Sequence, residues 1–167
     1  MICPYIPPPP TIQQQLGALQ QHFPTGQGTV CDHDLGLHWQ GELQPTVFSR
    51  TYLVGIQYKR EQFPHTFVYS PDLNQLAGGE RIPHTFSQQS DETEICLFWP
   101  GKKKGEIPEW NRDMLLATSI VPWATLWLYY FEHWLASGEW HGGGYHDNEL
   151  RFDQLVERGG RHERYHP

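Results

Sequence analysis

Charge, cysteine and long apolar runs are all scarce in this sequence, and each scarcity removes a class of function. Only 19% of the 167 residues are charged, and a net charge of −7 comes from acidic and basic residues mixed along the chain. Phosphate binding needs a basic face, so a nucleic-acid role is disfavoured. The one basic run, Lys102-Lys103-Lys104, is too short to supply such a face and reads as a solvated loop tip. Cys3, Cys31 and Cys96 form an odd set without close pairing, unlike a secreted disulfide framework. The longest apolar run, Ile120 to Phe131, falls far short of the ~20 residues that cross a bilayer. No basic segment followed by an apolar one opens the chain, so no signal peptide is expected. Neither an internal repeat nor a second domain is visible. The expectation is one domain over residues 1–167, in the cytoplasm, away from membranes, where a thiol stays free for chemistry.

Aromatic residues are abundant: seven Trp, eight Tyr and eight Phe make up 14% of the chain. They demand a core, a partner surface, or both. Residues 1–10 end in four consecutive prolines, Pro7 to Pro10, and should be an extended arm. Such a run can dock in an aromatic groove, though an inert arm is the commoner case. Thr11 can cap a helix in which Ile12, Leu16, Leu19 and Phe23 recur at helical spacing, with Gln on the other faces. Gly26-Gln27-Gly28 turns the chain. Leu37 to Leu43 predicts a first strand, Val47 to Tyr58 a second and His65 to Tyr69 a third. The short connections describe an antiparallel meander. Beyond Gly78-Gly79 comes an irregular polar stretch. Pro122 and Gly138 bracket a later helix striped by Trp123, Leu126, Trp127, Tyr130 and Trp134 and widened by Leu128, Phe131 and Leu135. A tail, residues 148–167, holds a short apolar pattern (Leu150, Phe152, Leu155, Val156) and ends polar.

The chemistry sits between Arg81 and Pro100. A polar loop, Ser87 to Glu94, separates Pro83-His84-Thr85 from Ile95-Cys96-Leu97-Phe98-Trp99. A cysteine among apolar neighbours is more often a buried structural residue than a nucleophile. His84, a lone loop histidine, is more often a structural hydrogen-bonder than a general base. Elsewhere, His141, His146 and Asp147 lie close in sequence, but no Cys-x-x-Cys or His-Glu-x-x-His partner accompanies them. With ten His in the chain, solvated loop residues are the expectation there, and no metal.

Five local segments resemble the ubiquitin-conjugating enzyme family. Leu37-His38-Trp39-Gln40 is similar to the opening of its first strand, and Pro64-His65-Thr66-Phe67-Val68 to its third. Arg81-Ile82-Pro83-His84 resembles the family's x-Ile-x-His-Pro-Asn motif, and Glu94-Ile95-Cys96-Leu97 its Gly-x-Ile-Cys-Leu motif. Val121-Pro122-Trp123 resembles the Trp-x-Pro start of the following helix. The resemblance spans residues 10 to 140. The implied fold is α+β: an N-terminal helix, an antiparallel meander, an active-site cysteine loop, then C-terminal helices packed on the sheet. Thr85 and Phe86 stand where the family has Pro-Asn, so its Asn is absent. The insert Trp99 to Gly105, the aromatic helix and its Trp134-Leu135-Ala136-Ser137-Gly138-Glu139-Trp140 ending resemble the compact bacterial branch of CBASS anti-phage operons.

That resemblance implies a transferase. Cys96 would carry the C-terminal glycine of a protein partner, a cGAS-like nucleotidyltransferase, as a thioester and pass it to an acceptor lysine on a target. A thiol suits the task because thioesters exchange with thiols and still react with amines, whereas a serine ester would hold its acyl group. Free Cys titrates near ~8.5, yet it is nucleophilic enough that a strong base is optional. His84 would shape the loop around Cys96, with Thr85 a candidate hydroxyl near the oxyanion and Trp99 a further supporting residue. No cofactor is implied. Two rivals stay open: a non-catalytic binding module using the aromatic helix, and a Cys-His thiol hydrolase with His84 as base.

Overall fold

In a computed structural model, residues 7–89, 91–101 and 106–143 are described. Helix α1 (Ile12–His22) begins at Thr11, whose hydroxyl accepts from the Gln14 N–H while its own N–H donates to the Gln14 side chain at 2.8 Å. This reciprocal pair satisfies two of the end groups a helix leaves open. Ile12, Leu16 and Leu19 face the core as their spacing predicts. Gln15 does not stay outside with the other glutamines. It is fully buried, because its amide donates to the Met114 carbonyl at 2.9 Å and accepts from the Leu116 N–H at 2.8 Å.

The sheet has six strands, all antiparallel: β1 (Gln27–Cys31), β2 (Gly36–Leu43), β3 (Tyr52–Lys59), β4 (His65–Ser70), β5 (Thr85–Gln88) and β6 (Thr93–Ile95). Their order across the sheet is β1-β2-β3-β4-β6-β5. The meander expected over residues 37–69 is there, but a strand precedes it and a hairpin follows it. β1 pairs with β2 from Gln27↔Gln40 to Cys31↔Gly36, so residues 26–28 lead into a strand rather than simply turning. The β1–β2 turn places Asp32, His33 and Asp34 at φ of 53°, 54° and 66°, a left-handed stretch that Asp and His tolerate better than most residues. β3 starts at Tyr52, five residues later than expected. Thr46 and Ser49 fold a tight hydroxyl-bonded turn that leaves Val47 82% and Phe48 97% exposed.

Inward positions alternate along the strands: Leu37, Trp39 and Leu43 on β2; Tyr52, Val54, Ile56 and Tyr58 on β3; Thr66 and Val68 on β4; Thr93 and Ile95 on β6. Their apolar members form one core with α1 and with α3 (Ile120–Ser137). α3 ends at Gly138, whose φ of 76° suits the left-handed cap. The buried face of α3 is Ile120, Val121, Ala124, Trp127, Leu128, Phe131 and Trp134. This corrects the expected stripe: Leu126 is 51% exposed, and Trp123 and Tyr130 are only half-buried. Trp127, Leu128, Phe131 and Trp134 keep their inward places, and Ala124 joins them. α2 (Leu73–Leu76) is one capped turn, with the Asp72 carboxylate accepting from the Asn74 and Gln75 N–H groups. The architecture is α+β, with the described helices and the sheet sharing one core. The tail over 148–167, and any helix in it, lies outside the described residues.

Candidate active site

The stretch expected to be irregular is largely the β5–β6 hairpin. Thr85, Thr93 and Ile95 point inward, and Gln88 fastens the turn before it. The Gln88 side chain accepts from the Ile82 N–H at 2.9 Å, and its amide donates to the Glu80 carbonyl at 2.9 Å and to the Asn74 side chain. The alternation in Thr93-Glu94-Ile95 was a strand signal, but three residues are too few for periodicity to resolve. β6 lies between β4 and β5, with Ile95 opposite both Thr66 and Thr85. Cys96 is the first residue past its end.

The backbone on either side of Cys96 is held. The Cys96 N–H donates to the His84 carbonyl at 2.8 Å. The same carbonyl accepts the Trp127 indole N–H at 3.2 Å. His84 itself has φ of 53°, an uncommon conformation for a residue with a β-carbon. Its ring packs against Trp140 at 5.2 Å between centroids. After the cysteine, Phe98 is set among Phe63, Trp110 and Trp123 at 5.7, 6.3 and 6.1 Å. Trp99 is gripped by two glutamates: its N–H donates to the Glu109 carboxylate at 2.7 Å, its carbonyl accepts from the Glu109 N–H, and its indole donates to Glu106 at 3.0 Å. Cys96 is half-buried, and its sulfur lies 3.8 Å from the Phe98 carbonyl, a weak thiol contact.

His84 and Cys96 are thus joined by one main-chain bond, while Trp99 is held separately by Glu106 and Glu109. Thr85 is adjacent, but its buried hydroxyl donates to the Ile82 carbonyl at 2.9 Å, which fixes the turn before β5. Glu94, two residues before Cys96, pairs with His65 on β4 at 2.6 Å. Trp127, Glu106, Glu109 and Gln88 were missed as site-building residues. Trp127 looked only like one more residue of an apolar stripe, and the others carry no periodic signal at all. Among the described residues, no three His, Cys, Asp or Glu stand together as a metal-holding group. His141 lies 3.8 Å from Glu139, while His146 and Asp147 lie outside the described residues. No described helix is long and apolar enough to cross a membrane.

Set against protein families, residues 15–147 match the model described as Type II CBASS E2 protein. The chain belongs to that family. The match covers most of the sequence, from within α1 past the end of α3, and includes the whole His84–Cys96 segment. The protein is therefore an E2-like component of CBASS anti-phage defence. No curated protein matches the chain.

Proposed function

We propose that this CBASS E2 protein is a cytoplasmic acyl transferase in which Cys96 carries a partner's C-terminal glycine as a thioester. The reading rests on one observation: a half-buried cysteine just past the end of a sheet strand, its N–H bonded to the His84 carbonyl, in a chain of an E2-like family. The partner is a cGAS-like nucleotidyltransferase, activated upstream at its C-terminal carboxyl group, and the acceptor is a lysine amine on a target protein.

In the first step the Cys96 thiolate attacks the activated glycyl carbonyl. A C–S bond forms and the activating group leaves with the electron pair. In the second step an amine attacks that carbonyl, the C–S bond breaks, and the amine proton passes to solvent or to the released thiolate. Each step passes through an oxyanion, which preorganised main-chain donors stabilise. The Cys96 N–H is engaged by His84 and the Trp99 N–H by Glu109. Main-chain N–H groups beside Cys96 are the donors proposed for the oxyanion. His84 shapes the loop through its carbonyl.

The test uses a peptide thioester ending in glycine, copied from the nucleotidyltransferase C-terminus. Wild-type protein should form an adduct cleaved by dithiothreitol, and Cys96→Ala should form none. An adduct that persists in Cys96→Ala sinks the mechanism. Tight peptide binding without any adduct would select the binding module, and release of free acid over many turnovers would select the hydrolase.

A further inference from the structure

We infer that Trp127 is a positioning residue for Cys96, acting through the carbonyl of His84. The inference rests on Cys96 being the reacting group, and it goes further by assigning a role to a helix residue with no place in the chemistry. A carbonyl oxygen has two lone pairs. At His84 one takes the Cys96 N–H at 2.8 Å and the other takes the Trp127 indole N–H at 3.2 Å. Trp127 is 5% exposed and stacked on Phe131, with ring planes within 10° at 5.5 Å. The donor is therefore held rigidly by the core of α3 and aimed out of it.

The conformation of His84 gives the bond its consequence. His tolerates the left-handed region better than most residues with a β-carbon, but the conformation still carries a cost that its surroundings must offset. Besides the Cys96 N–H, the indole N–H holds the carbonyl and the Trp140 ring packs against the imidazole. Trp140 in turn packs on Trp127 at 5.5 Å, and its own indole nitrogen has no hydrogen-bond partner among the described residues. Trp140 contributes ring packing to His84, and Trp127 adds a directional bond. Without that bond His84 can relax toward negative φ, which turns its carbonyl away from the Cys96 N–H. The segment carrying the sulfur then loses its fixed position at the end of β6. α3 thus sets the geometry of the acyl-carrying residue from 31 positions along the chain.

The experiment replaces Trp127 with 3-benzothienylalanine, which keeps the ring shape but has sulfur in place of the N–H. Trp134→Phe serves as the packing control, since Trp134 is buried on the same helix against Phe131. Two quantities are read: hydrogen exchange of the Cys96 amide, and the rate of aminolysis of a preformed Cys96 thioester. The isostere should speed Cys96 amide exchange by about tenfold and slow aminolysis by a similar factor, while peptide binding stays unchanged. Trp134→Phe should lower Tm without a selective effect on the Cys96 amide. Unchanged exchange at Cys96 in the isostere, or an equal effect in the control, overturns the inference. Exchange needs no acyl partner, so it reports on the brace even if the wild-type protein proves to form no thioester. Should the isostere fold poorly, Trp127→Phe gives the same two readouts.

Discussion

The meander of β2, β3 and β4 and the hairpin of β5 and β6 belong to one sheet but are held by different forces. The meander strands run eight, eight and six residues and bury a side chain at nearly every second position. The hairpin strands run four and three residues, and two of their three buried side chains are threonines. Apolar burial holds the first region, at roughly 25 cal/mol per Å² removed from water. The second cannot bury enough surface to hold itself. Beyond the pairing of β6 with β4, it is fastened by single polar bonds: Gln88 of β5 to Ile82, Trp127 to His84 and, just past β6, Glu109 to Trp99. The platform is thus a packing problem and the site a fastening problem, and the two should fail differently.

The largest effect should come from the platform. Ile56 is fully buried in mid-strand, paired with Trp39 on β2 and Thr66 on β4. Ile56→Ala removes apolar volume that neighbouring strands cannot collapse into, and should cost about 2–5 kcal/mol. Urea unfolding followed by tryptophan fluorescence would show the midpoint fall, with thioester formation at low denaturant retained. Loss of the thioester from a protein that is still folded would show that platform and site are not separable.

Gln88 tests the other side of the comparison. Gln88→Leu keeps the volume but abandons the Ile82 N–H and the Glu80 carbonyl, and should cost about 1–3 kcal/mol. The damage should concentrate in the hairpin. Amide exchange should accelerate in residues 82–96 before it does in β2 and β3, and thioester formation should fall even where the urea midpoint moves little. Uniform acceleration across the sheet would mean that the hairpin is not a separately fastened unit.

The same division explains what was legible in the sequence. Strand-forming residues bounded by turn signals located the strands at 37–43 and 65–69, and a capping residue followed by helical spacing located α1. β1 was missed because Gln27-Gly28-Thr29-Val30-Cys31 has little apolar content, and its pairing with β2 is a tertiary fact. Phe48 was drawn into a strand by its aromatic ring, when the Thr46–Ser49 hydroxyl pair decides that segment for a turn. Cys96 and His84 could be singled out by motif. That His84 serves Cys96 through its carbonyl could not, because the bond depends on a left-handed φ and on an indole from a distant helix.

The smallest effect belongs to a polar bond far from the site, and it shows whether polar contacts as such matter or only those around Cys96. Glu132 on α3 accepts from the Arg50 N–H and the Tyr52 hydroxyl, each at 2.9 Å, and so ties the 44–51 turn to the helix. Burial pushes its pKa up, but hydrogen bonds from Ser49, Arg50 and Tyr52 outweigh this and leave it below the ordinary carboxylate value. Burial first, then the bond to Glu132, holds the Tyr52 phenol well above its usual range. A lowered carboxylate pKa stabilises the fold above the unfolded value, ~4.3 for Glu, and that contribution is lost as pH falls through the folded value. The raised phenol acts at the other end, its contribution lost as pH rises through its folded value. Glu132→Gln keeps an acceptor oxygen but no charge, and should cost about 1 kcal/mol at pH 7. The gap between wild type and Glu132→Gln should be constant near neutrality and begin to close once pH drops below the ordinary carboxylate range. Thioester formation at pH 7 should match wild type. A pH-independent gap would mean that the carboxylate charge plays no part, and a loss of transfer would mean that the 44–51 turn reaches the site after all.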